Sequence, residues 1–463
     1  MRPTIVTALI VATALFMENM DSTVLSTSLP AIARDLGQDP IVLKLALTSY
    51  MLTLAVFIPA SGWVADRLGA RTVFCSAIVV FTLGSIACGL SVSLPTLIAA
   101  RVFQGLGGAM MVPVGRLLLV RSVPKAELVA AMAYLTAPAL IGPVVGPPLG
   151  GFITTYWHWR WIFWINVPIG LLGLLLALKL IENVRDDAVQ PFDFKGFLLS
   201  GIGLLSLVFG VTIVGRDLLA PWQVAALIAL GIASLVAYVG HARRVDNAII
   251  DLSLLKLPTF LAGVGGGLFF RVGIGALPFL LPLLLQLGFG LDPFQSGSLT
   301  FAAAAGAMGM KVAAQFFLRR FGFRSVLVAN CLLSCGFLAS YGLFTPTTPH
   351  ALIFLALLVG GFFRSLEFTA LNAMSYAEVA QERMSRATSF ASVVQQMSGA
   401  IGVAAAAASI EGLQLALGET ELTTQVMSLT FGVVTLVSLV AVPFFWRLPR
   451  DAGAEMAGRA VAA

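Results

Sequence analysis

The chain alternates long apolar runs with short polar connections. Runs long enough to cross a bilayer, about 20 residues each, fall at roughly 5–30, 43–64, 72–92, 95–120, 128–153, 161–181, 194–215, 221–242, 260–287, 296–318, 323–344, 350–374, 387–411 and 424–447. The pattern predicts fourteen membrane-spanning helices, with Gly and Pro blurring the ends of the fifth and ninth. The more polar connections "ENVRDDAVQPFDFK" (182–195) and "HARRVDNAIIDLSLLKLP" (241–258) bracket the seventh and eighth runs.

The chain also repeats. "RLGAR" at 67–71, between the second and third runs, matches "RFGFR" at 320–324, between the tenth and eleventh, at an offset of 253. The same offset lays "GLGGAM" (105–110) over the Gly360–Gly361 region of the twelfth run. Parallel repeats of six helices that bind substrate at their interface are a transporter architecture. The expected organisation is a six-helix bundle at 1–185, two linker helices within 186–258, a second six-helix bundle at 259–450 and a disordered tail at 451–463.

Composition agrees with a polytopic, all-α membrane protein. Of 463 residues 59% are hydrophobic and 11% charged, where soluble domains carry about a quarter charged residues. A net charge of +6 would suggest nucleic acid in a soluble chain. Here the basic residues are spread over the connections, as the positive-inside rule requires. With both termini cytoplasmic, nineteen of the 28 basic residues fall inside and four outside, the four being Arg34, Lys44, Arg160 and Arg216. Cys75, Cys88, Cys331 and Cys335 all sit in apolar runs and read as buried thiols, without disulfide or metal. The carboxylates and length of the first run mark a retained helix rather than a signal peptide.

Four stretches carry recognisable patterns. In "GWVADRLGARTVF" (62–74), Gly62 and Gly69 would allow tight turns, and Asp66 would pair with Arg71 or cap the next helix. The order of Gly62, Asp66, Arg67, Gly69 and Arg71 resembles the gating loop of the major facilitator superfamily, which implies a role in conformational switching. The second copy has Arg319 where Asp66 would recur, so only the first half is complete. "RVFQGLGGAMMVPVGRLLLV" (101–120) begins with Arg101, Gln104, Gly105, Gly107 and Gly108, resembling the motif beside the proton path of proton-driven members. No strand precedes those glycines and no G-K-[ST] follows, which excludes a nucleotide loop. "APALIGPVVGPPLGGF" (137–152) places Gly142, Gly146 and Gly150 in a smooth stripe, with Pro143 and Pro147 breaking backbone bonds. It resembles the antiporter signature of drug exporters, which implies outward transport. "MDSTVLSTSLP" (20–30) resembles the first-helix motif of the fourteen-helix drug:proton antiporters. The resemblance implies a major facilitator fold of two six-helix bundles plus two linker helices, proton-driven efflux with no cofactor, a monomer and a bacterial inner-membrane location.

Charges at bilayer depth are costly and are functional hypotheses by default. The acids are Glu18, Asp21 and Glu367; the bases are Arg101, Arg116, Arg271, Lys311 and Arg364. Glu18 and Asp21, three apart, share one helix face, and the repeat sets Glu18 opposite Arg271, predicting a pair across a central cavity in one state. Arg116 lies fifteen residues beyond Arg101, roughly 22 Å along a helix, so the two cannot serve one site. Arg364 and Glu367 could neutralise each other, and Lys311 could snorkel. Asp21, Glu18 and Arg101 are expected to couple protons: protonation from outside would break an acid–arginine pair. Arg116, Arg271, Arg364, Glu367 and Lys311 are expected to bind substrate.

Excess base suits an anion such as citrate, free or as a metal complex. Phe269, Phe270, Met308, Met310, Phe363 and Phe368 would instead line a cavity for greasy drugs. An integral-membrane enzyme is the remote alternative: His158, His241 and His350 lie far apart in loops or at helix ends and form no catalytic constellation.

Overall fold

A computed structural model describes residues 3–122, 128–183, 191–213, 219–245, 247–380, 383–419 and 421–453. The proposed tail lies, from residue 454 onward, outside the described residues, as does Lys125. Every regular element among the described residues is a helix. In chain order they are α1 (Pro3–Asp35), α2 (Lys44–Leu68), α3 (Ala70–Gly89), α4 (Leu94–Ser122), α5 (Leu128–Tyr156), α6 (Trp161–Leu180), α7 (Phe194–Thr212) and α8 (Pro221–Ala242). The second series is α9 (Pro258–Gly288), α10 (Pro293–Phe321), α11 (Phe323–Tyr341), α12 (His350–Met374), α13 (Met384–Leu417) and α14 (Thr424–Trp446). Thirteen are long and apolar enough to cross a membrane among the described residues. The fourteenth, α5, has 29 residues and no charged side chain.

The repeat is structural. Gly69 ends α2 and opens α3 at φ +92°, and Gly322 does the same between α10 and α11 at φ +78°. Side chains other than glycine's strain in that region, so both halves place glycine at the same abrupt turn. A Cβ on Gly108 would lie 2.7 Å from the Tyr50 hydroxyl, and one on Gly361 would strike the Ala303 backbone. Both glycines and both partners are related by the offset of 253. Gly62 departs from the expectation: it lies within α2, with open space where a Cβ would stand, and makes no turn.

Two compact units divide the chain, one formed by Met1–Leu205 with Asp292–Gly297 and the other by Ser206–Leu291 with Ser298–Ala463. In the first, α5 runs through Pro138, Pro143, Pro147 and Pro148 and lies along α1. A Cβ on Gly142 would be 3.0 Å from the Phe16 carbonyl and one on Gly150 2.6 Å from that of Val24, while Gly146 faces Thr23. The glycine stripe is therefore the surface on which two backbones meet. In the second unit α9 is irregular, with π turns at Leu261–Gly266 and Leu283–Gly288 on either side of Pro278 and Pro282. Prolines remove backbone donors, and π turns absorb the mismatch.

Candidate functional site

The first unit encloses a polar cluster in an apolar interior. Asp21 on α1 is 2% exposed and Arg101 on α4 is 1% exposed. Arg101 Nη1 donates to Asp21 Oδ2 at 2.6 Å, and Arg101 Nε donates to the Ala46 carbonyl of α2 at 3.1 Å. Asp21 Oδ1 accepts from Gln104 Nε2 at 2.8 Å and from Asn166 Nδ2 at 2.9 Å. Gln104 Nε2 and Asn166 Nδ2 also donate to Ser85 Oγ of α3, at 2.8 and 3.3 Å. The Arg101 guanidinium stacks 4.2 Å from the Tyr50 ring centroid. Five helices thus supply one site.

Asp21 receives three donors, from Arg101, Gln104 and Asn166. Glu18, one turn away, differs: its buried Oε2 has no partner. Tyr50 Oη and Asn166 Oδ1 are also buried without partners beside this cluster.

The second unit distributes its charges differently. Arg271 of α9, 6% exposed, donates from Nη1 to the Gly263 carbonyl at 3.2 Å and from Nη2 to Asn372 Oδ1 at 3.0 Å. Lys311 Nζ of α10 donates to Thr369 Oγ1 at 3.1 Å. Thr369 and Asn372 are one turn apart on α12, so two cations meet neutral oxygens of a single helix face. Lys311 therefore reaches across to a neighbouring helix. Glu367 is 0% exposed and accepts from Asn330 Nδ2 at 2.9 Å. It forms no ion pair with Arg364; its helical neighbour at that spacing does not neutralise it. The greasy-cavity residues are also partly closed off: Phe270 and Met310 are fully buried, Phe270 against Phe368, and Phe363 stacks on Phe337.

In the gating loop Arg71 Nη1 donates to the Ile181 carbonyl at 3.0 Å, and no side chain caps α3. The capping of α3 expected of Asp66 is not seen. Arg67 sits over the Trp63 ring at 5.4 Å. At the opposite end of α1, Asp35 accepts from Trp159 Nε1 and from Arg160 Nη1, each at 2.9 Å.

Sequence reasoning missed Ser85, Asn166, Asn330 and Asn372. A lone amide within an apolar run is the signal that could have found the three asparagines. Lys44, at the start of the second apolar run, opens α2 and is 2% exposed.

Fourteen apolar helices among the described residues, twelve of them in two repeated sets, with enclosed charge clusters and a tight interhelical turn in each set, define a membrane transporter. The chain belongs to the Major Facilitator Superfamily, whose family model matches residues 11–403 and 263–460, and it is a transporter rather than an enzyme. It is 38% identical over 457 residues, covering 96% of this chain and 95% of the relative, to "Putative multidrug resistance protein MdtD" of Salmonella paratyphi A. A protein of the same name from Escherichia coli O6:H1 is 38% identical over 453 residues, covering 96% and 94% of the two chains. Among solved structures, the fold is shared with a D-xylose-proton symporter at TM-score 0.69, 14% identity and coverage of 96% and 98%. A POT family transporter matches at TM-score 0.65 and 16% identity, covering 94% and 95%.

Proposed function

We propose that the protein exports drug-like small molecules in exchange for protons, by alternating access, in the bacterial inner membrane. The observation that carries this reading is the enclosed Asp21–Arg101 pair with Glu18 one turn away. The pair holds only while Asp21 is ionised. A proton arriving on Asp21 cancels the charge that Arg101 balances and loosens Arg101, Gln104 and Asn166 together, so α1, α4 and α6 are free to shift. Glu18, already lacking a donor on Oε2, is the neighbouring proton acceptor on the same helix face. The reaction needs no cofactor, and a monomer contains every part of it.

Both termini face the cytoplasm in this reading, which puts Gly62, Asp66, Arg67, Gly69 and Arg71 on the inner side as the conformational latch. The Gly142, Gly146 and Gly150 stripe, with Pro143 and Pro147, lets α5 slide on α1 during exchange. The drug assignment follows the names of the relatives. Arg116, Arg271, Arg364 and Lys311 are the substrate-side cations.

A second reading is favoured by one observation: Arg271 and Lys311 donate their hydrogen bonds to neutral oxygens. Two cations without a carboxylate suit an anionic substrate. Proteoliposomes with an imposed proton gradient separate the two readings. Ethidium accumulation without citrate movement supports drug export; labelled citrate moving while ethidium does not assigns the cations to an anion clamp. Neither moving under any gradient contradicts proton-coupled export of these classes.

A further inference from the structure

The second unit holds an acid that the scheme above does not use. Glu367 is wholly enclosed on α12, with Asn330 of α11 as its hydrogen-bond partner. Asn330 Nδ2 spends its two hydrogens on Glu367 Oε2 and on the Phe363 carbonyl, each at 2.9 Å. Two acceptors are then left buried with no donor, Glu367 Oε1 and Asn330 Oδ1. An ionised carboxylate and an amide oxygen offer only lone pairs there, and an unpaired buried acceptor is costly. One added proton on the carboxyl converts an acceptor into a donor.

The charged and titratable groups around Glu367 do not supply that donor. From α11 they are the thiols of Cys331 and Cys335, both buried; from α9, Arg271, within electrostatic range but held by Gly263 and Asn372. From α10, Lys311 is turned to Thr369, and on α12 itself Arg364 forms no ion pair with Glu367. Arg271 keeps a buried Nε without a partner. An acid with one oxygen unserved and a base with one N–H unserved therefore lie in the same unit, unjoined.

The repeat provides an internal control. At the offset of 253, Glu367 corresponds to Val114 and Asn330 to Ala77, both buried and apolar. Packing at these two positions is thus met by hydrocarbon in the first half. The acid–amide pair is an addition of the second half, and burying it is unfavourable unless it serves a purpose.

We propose that Glu367 is a second proton-carrying site, protonated in this conformation and hydrogen-bonded through Asn330, with Arg271 as the base that balances it once the proton leaves. The proton comes from water, resides on the carboxyl, and returns to water on the other side when rearrangement of α12 against α9 opens the site. Enclosure selects the ligand: a proton can reach a carboxyl with no exposed surface, and a drug-sized molecule cannot. Its role in transport rests on the proton-coupled export proposed above; its protonated state does not.

The test has two readouts on full-length protein. Infrared spectra of reconstituted wild type contain the C=O stretch of a protonated carboxylic acid, and Glu367→Gln, which keeps the shape and supplies an N–H, is expected to remove part of that band. If E367Q does not accumulate, Glu367→Asp is expected to shift the band instead. An unchanged band in whichever variant accumulates overturns the proposal. The second readout is protons moved per substrate in liposomes, expected to fall in E367Q. A lost band with an unchanged proton count overturns the transport role. Glu18→Gln and Asp21→Asn run alongside as references: if proton-driven export survives in those two, the export scheme fails on its own account, and the infrared result still decides the state of Glu367.

Discussion

At the residue scale, the decisive feature is how differently three buried acids are served. Asp21 has three donors, one of them an arginine; Glu18 and Glu367 each keep an oxygen with none. Removing one member of a buried pair leaves the other charge uncompensated, at about 3–5 kcal/mol. Arg101→Met is therefore expected to lower the unfolding temperature in detergent strongly, and restoring charge balance with Asp21→Asn in the same chain is expected to recover part of the loss. A double variant no better than R101M would show that the ion pair is not what Arg101 contributes.

Outside the membrane, the Arg383–Asp251 pair at 2.7 Å, with Ser253 also bonded to both, ties the segment before α9 to that before α13. Burial pushes the Asp251 carboxyl up, but its hydrogen bonds from Ser253 and Arg383 outweigh this and hold it below the usual carboxylate value of 3.8. A lowered folded-state value means the contribution is present above the ordinary range and fades as pH falls through the folded value. Thermal unfolding of wild type against Asp251→Asn should show a gap at neutral pH that closes in acid; a gap independent of pH would assign it to packing.

At the element scale, glycines with the same sequence prominence do different jobs. Gly62 has open space in mid-helix, so Gly62→Ala is expected to be neutral or to stabilise by up to about 1 kcal/mol. Gly69 has φ +92° with Asn183 packed against it, and Gly69→Ala is expected to cost on the order of 1–3 kcal/mol from the backbone alone. Gly150→Val would drive into the Val24 carbonyl and part α1 from α5. Unfolding temperatures of the three rank them G62A, G69A, G150V in falling order; a destabilised G62A would contradict the assignment.

The helices themselves were legible because hydrophobic length has few alternative explanations at this composition. The Gly69 turn was legible because its copy at Gly322 shares the spacing. What was not legible depended on long-range partners. Arg71 meets a carbonyl 110 residues away, and Asn166 reaches Asp21, and Ser85 the amides of Gln104 and Asn166, from helices whose sequence patterns are simply apolar. Spacing on one helix suggested Arg364 as the partner of Glu367, but the buried face of α12 turns Glu367 to α11 and Asn330. Periodicity states which residues share a helix, not which neighbouring helix each side chain meets.

At the scale of the whole molecule, the two repeated halves have diverged in what they bury. The first half encloses a satisfied ion pair, the second an acid and a base that remain apart, on a shared framework of helix lengths and glycine contacts.

The central claim is that Asp21 couples proton movement to export. Substrate-dependent proton flux should be measured in liposomes containing wild type or Asp21→Asn, with substrate exchange in the absence of a gradient recorded on the same vesicles. Loss of substrate-dependent proton flux with exchange retained is the predicted result. Proton flux persisting at the wild-type ratio in D21N would contradict the claim.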